Sequence, residues 1–143
     1  LMILLEYNGP GGFFTELGRT LVMGNSVPGE LQAMCEKNRA TQAFDLGMLK
    51  PGASCREIFK THNETVMAQG GVDEKRILSH GQGYEMVERP LIRHDESMTL
   101  KENMHLAVHP MGGVQLIDNY LLGPDGPGEC LHRTPKEVLT IPL

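Results

Sequence analysis

The sequence predicts an α+β domain, and three observations carry that prediction. A strand–turn–strand signature opens the chain, and two helix-forming stretches with recognisable ends follow. After residue 72, glycine and proline break the chain into short β segments. Helices set between β segments suit an arrangement in which they cover one face of a mainly antiparallel sheet.

Residues 1–7 are apolar and strand-like and read as a buried strand. Asn8-Gly9-Pro10-Gly11-Gly12 is a dense turn signal, and residues 13–23 return as a second strand. Residues 1–23 are therefore expected to form a β-hairpin. A loop over 24–29 places Pro28 at a helix start. The first helix is expected over 30–49, with Leu31, Met34, Asn38, Ala40, Ala43 and Phe44 tracing its face and Lys50-Pro51-Gly52 ending it. Ser54-Cys55-Arg56-Glu57 fits the capping box, in which a hydroxyl and a carboxylate satisfy amides that the first turn leaves unpaired. The second helix should run to about residue 69 and stop at Gly70-Gly71, with Ile58, Phe59, His62, Val66 and Met67 on one face. Strands are expected over 77–80, 100–109, 113–122 and 137–141.

The chain has 143 residues, a length that suits one domain. Thirteen Lys and Arg against eighteen Asp and Glu leave a formal charge of −5, which argues against nucleic acid or an anionic membrane as partner. No run approaches the roughly 18 apolar residues of a membrane span. Three scattered cysteines, Cys35, Cys55 and Cys130, form no CxxC pair, so neither a disulfide framework nor a thiolate zinc site is indicated and a reducing cytoplasm is the expected setting.

The histidines and acids carry the chemistry. Ser79-His80-Gly81-Gln82-Gly83 puts an imidazole at a strand end beside two glycines, where a ligand can approach closely. His105 and His109 lie four apart, on one face if both are on a strand. Glu6 and Glu16 lie on the two hairpin strands. If the sheet curves, these acids converge on His80 and His109, a donor set that suits a divalent metal such as zinc, iron, manganese or nickel.

The order of the motifs is informative. Gly12-Phe13-Phe14-Thr15-Glu16-Leu17-Gly18-Arg19-Thr20 resembles the G-Y-x-x-D-x-T-R-T stretch of the pita-bread metallopeptidases, the superfamily of aminopeptidase P, prolidase, methionine aminopeptidase and creatinase. Lys50-Pro51-Gly52, with Glu57-Ile58 after it, is similar to that family's K-P-G and E-V between two helices. The stretch from Ser79-His80-Gly81 to Glu88-Arg89-Pro90 resembles G-H-G-x-G-x-x-x-H-E-x-P. Val108-His109-Pro110-Met111-Gly112 is similar to the segment ending E-P-G, and Thr134-Pro135-Lys136-Glu137 to the closing T-x-x-P-x-E-L. The likeness is collinear over nearly the whole chain.

That resemblance implies a curved, mostly antiparallel sheet and a site placed by position. The family's two metal Asp fall at Glu6, within one residue, and at Glu16; its metal His at His80; its two metal Glu at His109 and Ile117, beside a retained Asp118. Val87 stands where a substrate-binding His is usual. Ile117 cannot bridge two ions, so at most one divalent metal is expected, held by Glu6, Glu16, His80 and His109, with no metal as the alternative. Glu88 or His105 would move the proton. Simpler readings stand beside these: an ion pair of Glu16 with Arg19, a rim role for Glu88 paired with Arg89 or Arg93, a packed His62, an exposed turn at His94 and Asp95, and a solvated His132.

Residues 1–143 are thus expected to be a single, partial pita-bread domain lacking the family's preceding strand and helices. It would be completed by that segment or by a homo-oligomer partner. The implied function is a divergent hydrolase, Xaa-Pro aminopeptidase- or prolidase-like, acting on a small amide, short peptide or amino-acid derivative. The alternatives are a pseudoenzyme serving as a binding module and a metal-free, creatinase-like enzyme.

Overall fold

The computed structural model describes residues 1–110 and 112–143; Met111 of the His109-Pro110-Met111-Gly112 motif lies outside them. Strands β1 (Met2–Asn8) and β2 (Phe14–Met23) form the expected antiparallel hairpin, and Glu6 and Glu16 are direct cross-strand partners. Helices α1 (Gly29–Met48) and α2 (Cys55–Ala68) follow. Then come β3 (Ser79–Gly81), β4 (Glu88–Ile92), β5 (His105–Val108), β6 (Asp118–Leu122), β7 (Pro127–Cys130) and β8 (Leu139–Ile141). They make a three-stranded sheet in the order β1-β2-β8 and a five-stranded sheet in the order β4-β3-β5-β6-β7. Only the β2–β8 pair is parallel among the described strand pairs.

Strand alternation sorts the five-stranded sheet into two faces. Leu106, Val108, Tyr120 and Leu122 meet Leu49, Cys55, Ile58 and Phe59 from the helices in the main apolar core. The opposite face carries His80, Ala107 and Asn119 in one cross-strand row. His105, two residues before Ala107, shares that face. Ser54 caps α2 as expected, its hydroxyl accepting from the Glu57 backbone amide at 3.4 Å. Ile58, Phe59 and His62 are buried, whereas Met67 stays exposed.

Helix α1 corrects the sequence reading. Its buried residues are Cys35, Asn38, Gln42 and Asp45, while Met34 and Phe44 are exposed. The surface beneath the helix is polar, so polar side chains face it. Asn38 donates to the Val114 carbonyl, Gln42 donates to Asp118, and Asp45 contacts His62 Nδ1 at 2.7 Å. Burial raises the Asp45 carboxyl above its usual range against the pull of His62. The opening strand is a second correction: it is not buried, for Leu1, Met2, Leu4, Leu5 and Tyr7 are all exposed. It forms one edge of the small sheet, with β2 as its only partner among the described strands. β4 and β7, which lie in proline-bearing stretches, are strands the sequence reading did not expect.

The two sheets meet along a seam between β2 and the segment entering β6. Gly18 and Ile117 exchange backbone hydrogen bonds, both of 3.1 Å. Arg19 is 3% exposed and reaches Asp118 at 2.6 Å, together with the carbonyls of Gly18, Ile117, Thr134 and Pro135. The buried pair therefore has its remaining donors satisfied, the condition under which an interior ion pair is tolerated. Glycine is required at 18 because a Cβ there would lie 2.6 Å from Ile117 Cγ1. Gly18→Ala should lower stability by about 1–3 kcal/mol through overpacking, read from the urea midpoint; an unchanged midpoint would contradict so tight a seam.

The connection after β4 is held by Glu96, which accepts from Arg89 and from the backbone amides of Leu91 and Met98. The Arg89 hydrogen bond first, helped by those amides, holds the Glu96 carboxyl down at about 2, against an ordinary value of 4.5. A depressed carboxyl stabilises the fold above its unfolded value, and that contribution is lost as pH falls through the folded one. Glu96→Gln should therefore cost about 1–2 kcal/mol at neutral pH, the exposed Arg89 limiting the figure. Its deficit relative to wild type should shrink between pH 4.5 and 2 in acid unfolding.

Candidate functional site

The curved inner surface holds a cleft of about 530 Å³. Alternation along β1 turns Met2, Leu4 and Glu6 into it, β2 supplies Glu16, β3 supplies His80, and His109 follows the end of β5. Glu6, Glu16, His80 and His109 thus line one cavity. Val87 and Ile117 line it too, as apolar wall.

Within the cleft Glu16 and His80 face each other, their Oε2 and Nε2 standing 3.3 Å apart with each side chain only 5% exposed. His80 Nδ1 lies 2.9 Å from the Gly81 carbonyl, which can only accept, so Nδ1 carries a proton and Nε2 is the ring atom turned to Glu16. Glu16 does not pair with Arg19, whose guanidinium is taken by Asp118. Its Oε2 is buried and has no hydrogen-bond partner. An orphaned acceptor of this kind costs about 1–3 kcal/mol or more, and a site that keeps one is built to receive a donor or a cation. Glu6, directly opposite across the hairpin, adds a second like charge that a cationic guest would relieve.

His109 is the second imidazole, its ring centroid 5.1 Å from that of His80. Burial, and then the neighbouring His80, push it down to about 4, so it is neutral near pH 7. The four predicted residues share the cleft but do not close into a metal centre. Among the described residues, no group of three or more His, Cys, Asp or Glu side chains is placed to hold an ion. The side chains as they stand do not fit the implied metal.

Glu88 and His105, the expected proton carriers, do not line this cleft. The Glu88 carboxylate accepts the Glu85 backbone amide and lies over Gly83, pairing with neither Arg89, which holds Glu96, nor Arg93, which holds Asp95. His105 shares the inner face with His80, but its Nε2 is buried without a partner and burial lowers its pKa. His94 and Asp95 are exposed, as expected.

Four contributors escaped the sequence reading. Asn119, fully buried, accepts from the Glu16 amide at 2.7 Å and from Thr15 Oγ1 at 2.8 Å, and donates to Gln82. His132 is half-buried, not solvated: its Nε2 sits 2.9 Å from both the Glu16 carbonyl and Asn119 Oδ1, so it donates there. These two residues fix the backbone that carries Glu16. Arg76 and Glu74 also line the cleft, four and six residues before His80. No spacing rule separates them from an ordinary charged loop.

Comparison with known proteins places this architecture. The chain resembles solved structures of dipeptidase PepE from Mycobacterium ulcerans (17% identity, TM-score 0.82, covering 99% of this chain and 40% of that one). X-Pro aminopeptidase from Thermotoga maritima is similar at 20% identity and a TM-score of 0.81, with 98% and 41% covered. Prolidase from Pyrococcus furiosus is similar at 26% identity and a TM-score of 0.77, with 94% and 41% covered. The fold is therefore the α+β pita-bread arrangement, and the chain spans about two fifths of the length of these relatives. Comparison with curated proteins gives no match. The profile of metallopeptidase family M24 matches residues 2–129, and the chain belongs to that family.

Proposed function

We propose that this chain is a divergent M24 hydrolase, prolidase- or Xaa-Pro aminopeptidase-like, cleaving a small amide, short peptide or amino-acid derivative in the Glu16–His80 cleft. The observation that carries this reading is the buried Glu16 carboxylate, orphaned at Oε2 and facing the His80 ring at 3.3 Å. An acid beside a fixed imidazole is an arrangement for moving protons. With Nδ1 tied to the Gly81 carbonyl, His80 takes a proton from water at Nε2, and Glu16 stabilises the imidazolium so formed. The same proton then passes to the leaving nitrogen. His109, neutral near pH 7, offers hydrogen bonding to the substrate carbonyl without a competing charge. Glu6, which lines the cleft directly opposite Glu16, orients a positively charged group of the substrate from across the hairpin.

One divalent ion (Zn, Mn, Fe or Ni) is the most that this reading admits, and to hold it Glu6, Glu16, His80 and His109 would have to draw closer together than they stand. A second reading, metal-free acid–base hydrolysis of the creatinase type, is favoured by the absence of a three-donor cluster among the described residues. No described helix is long and apolar enough to cross a membrane, and a cytoplasmic setting is part of the proposal. Residues 1–143 would act as one partial catalytic domain whose exposed β1 edge is covered by a second copy or by a further segment of the protein.

The test is metal analysis of the purified protein alongside a screen of dipeptides and small amides, with and without chelator. Glu16→Gln and His80→Ala should each lower turnover by about 100-fold or more while leaving the fold intact. Stoichiometric metal lost in His80→Ala, with chelator-sensitive turnover, supports the one-metal enzyme. Chelator-resistant turnover that still needs His80 supports the metal-free one. Absence of turnover across the screen with no bound metal would overturn both and leave a binding module.

A further inference from the structure

Edge strands invite pairing with another chain, and folded proteins guard them with proline, charge or short length. Of the four sheet edges among the described strands, three are guarded. β4 carries Pro90, β7 opens on Pro127 and carries Glu129, and β8 is three residues long with Pro142 behind it. β1, the fourth, is seven residues long, contains no proline or lysine and keeps unbroken register with β2. Leu4 and Leu5 are each 47% exposed, so both faces of the strand are apolar and open. Its hydrogen-bonding phase is fixed. The Leu21 amide donates to the Leu1 carbonyl at 2.7 Å and the Gly9 amide to the Phe13 carbonyl at 3.0 Å, so alternation assigns the odd-numbered residues of β1 to β2. Gly18, even-numbered, bonds Ile117 on the other side of β2, as that phase requires. The backbone amides and carbonyls of Met2, Leu4 and Glu6 therefore point outward, with no strand partner among the described residues.

We propose that β1 pairs antiparallel with β1 of a second copy of this chain, about a two-fold axis at Leu4. The outward groups restrict the pairing to registers that set even residues against even ones, and charge selects among these. Centred on Glu6, the pairing would put glutamate directly against glutamate, a destabilising contact. Centred on Ile3, it would engage residues 1–5 alone. Centred on Leu5, it would leave the two Glu6 residues two positions apart along the strands, about 7 Å. Centred on Leu4, they stand four positions apart, about 13 Å, and all of residues 1–7 are engaged. Ile3 then packs against Leu5 of the partner subunit, and Leu4 against its own copy. The two small sheets become one of six strands, in the order β8-β2-β1-β1-β2-β8. Directly opposed residues share a face, so Met2 of the partner subunit falls opposite Glu6 and joins the cleft wall. The second copy thus supplies wall that one chain leaves open.

This rests on the reading of β1 as a covered edge and not on the hydrolysis, and its test reads assembly alone; absent turnover would leave it standing. Sedimentation of the full chain between about 1 and 100 µM should show a reversible dimer. Hydrogen exchange on that dimer should protect the Leu4 and Glu6 amides alongside those of Ile3 and Leu5, which β2 already holds. Leu4→Lys, which sets two ammonium groups against each other at the axis, should weaken the dimer by at least about 100-fold. Leu4→Cys should cross-link two copies under mild oxidation, because Cα atoms paired at the axis stand about 5.5 Å apart, and Leu5→Cys should not. If Leu4→Lys fails to fold, the exchange and cross-linking readouts decide. A monomer at about 100 µM whose Leu4 and Glu6 amides exchange freely would overturn the proposal, and so would a dimer that a folded Leu4→Lys leaves intact. No cross-link through Leu4→Cys, or one through Leu5→Cys in its place, would overturn the register.

Discussion

Glu16 reaches His80 because two sheets are joined along one seam. Three consecutive levels of β2 are tied to the β6 side of the larger sheet. The Glu16 amide donates to Asn119, Gly18 and Ile117 exchange backbone bonds, and Thr20 Oγ1 accepts the Gln115 amide at 2.8 Å. Arg19 fills the back of the joint with its ion pair to Asp118 and four carbonyls. Where the backbones come closest, glycine is the only residue that fits. Without this contact the hairpin and the five-stranded sheet would be separate units, and the acids of one would have no fixed relation to the imidazoles of the other.

The seam places groups in the cleft that would not remain there for stability. A glutamate directly opposite a glutamate, a buried carboxylate oxygen without a donor and a histidine held neutral by burial each work against the fold. At the seam itself, Asp118 and Asn119 are fully engaged. Asp118 has Arg19, Gln42 and Lys136 around it, and Asn119 has Thr15, Gln82, His132 and the Glu16 amide. What marks the cleft as the place where the chain meets a ligand is what gathers around one cavity: an unpartnered carboxylate oxygen, a second glutamate opposite it and two imidazoles.

Much of this was legible from the residues alone. The turn at 8–12 and the Ser54 cap are local signals, and they gave the hairpin and the second helix nearly to their ends. Collinear motifs put Glu6, Glu16, His80 and His109 in one place. What local pattern could not show was the partner of each surface. The buried side of α1 is polar because Asp118 and the carbonyls of Val108 and Val114 lie beneath it, a fact about strands some 70 residues away. An apolar run such as residues 1–5 looks buried in sequence but lies at a sheet edge. His132 resembled a solvated loop residue, and only the folded seam brings its Nε2 to the Glu16 carbonyl. Convergence of the metal-type ligands was likewise overread: sharing a cleft is a weaker condition than sharing a coordination sphere.

The central claim is that Glu16 and His80 face each other across an interior contact with the imidazole oriented by Gly81. Nitrogen-15 NMR of the histidine side chains tests it without any substrate. The account predicts that His80 carries its proton on Nδ1, and that Glu16→Gln displaces the Nε2 resonance while leaving the Nδ1 resonance in place. A His80 ring protonated on Nε2 alone, or one whose two nitrogens are both indifferent to Glu16→Gln, would contradict it.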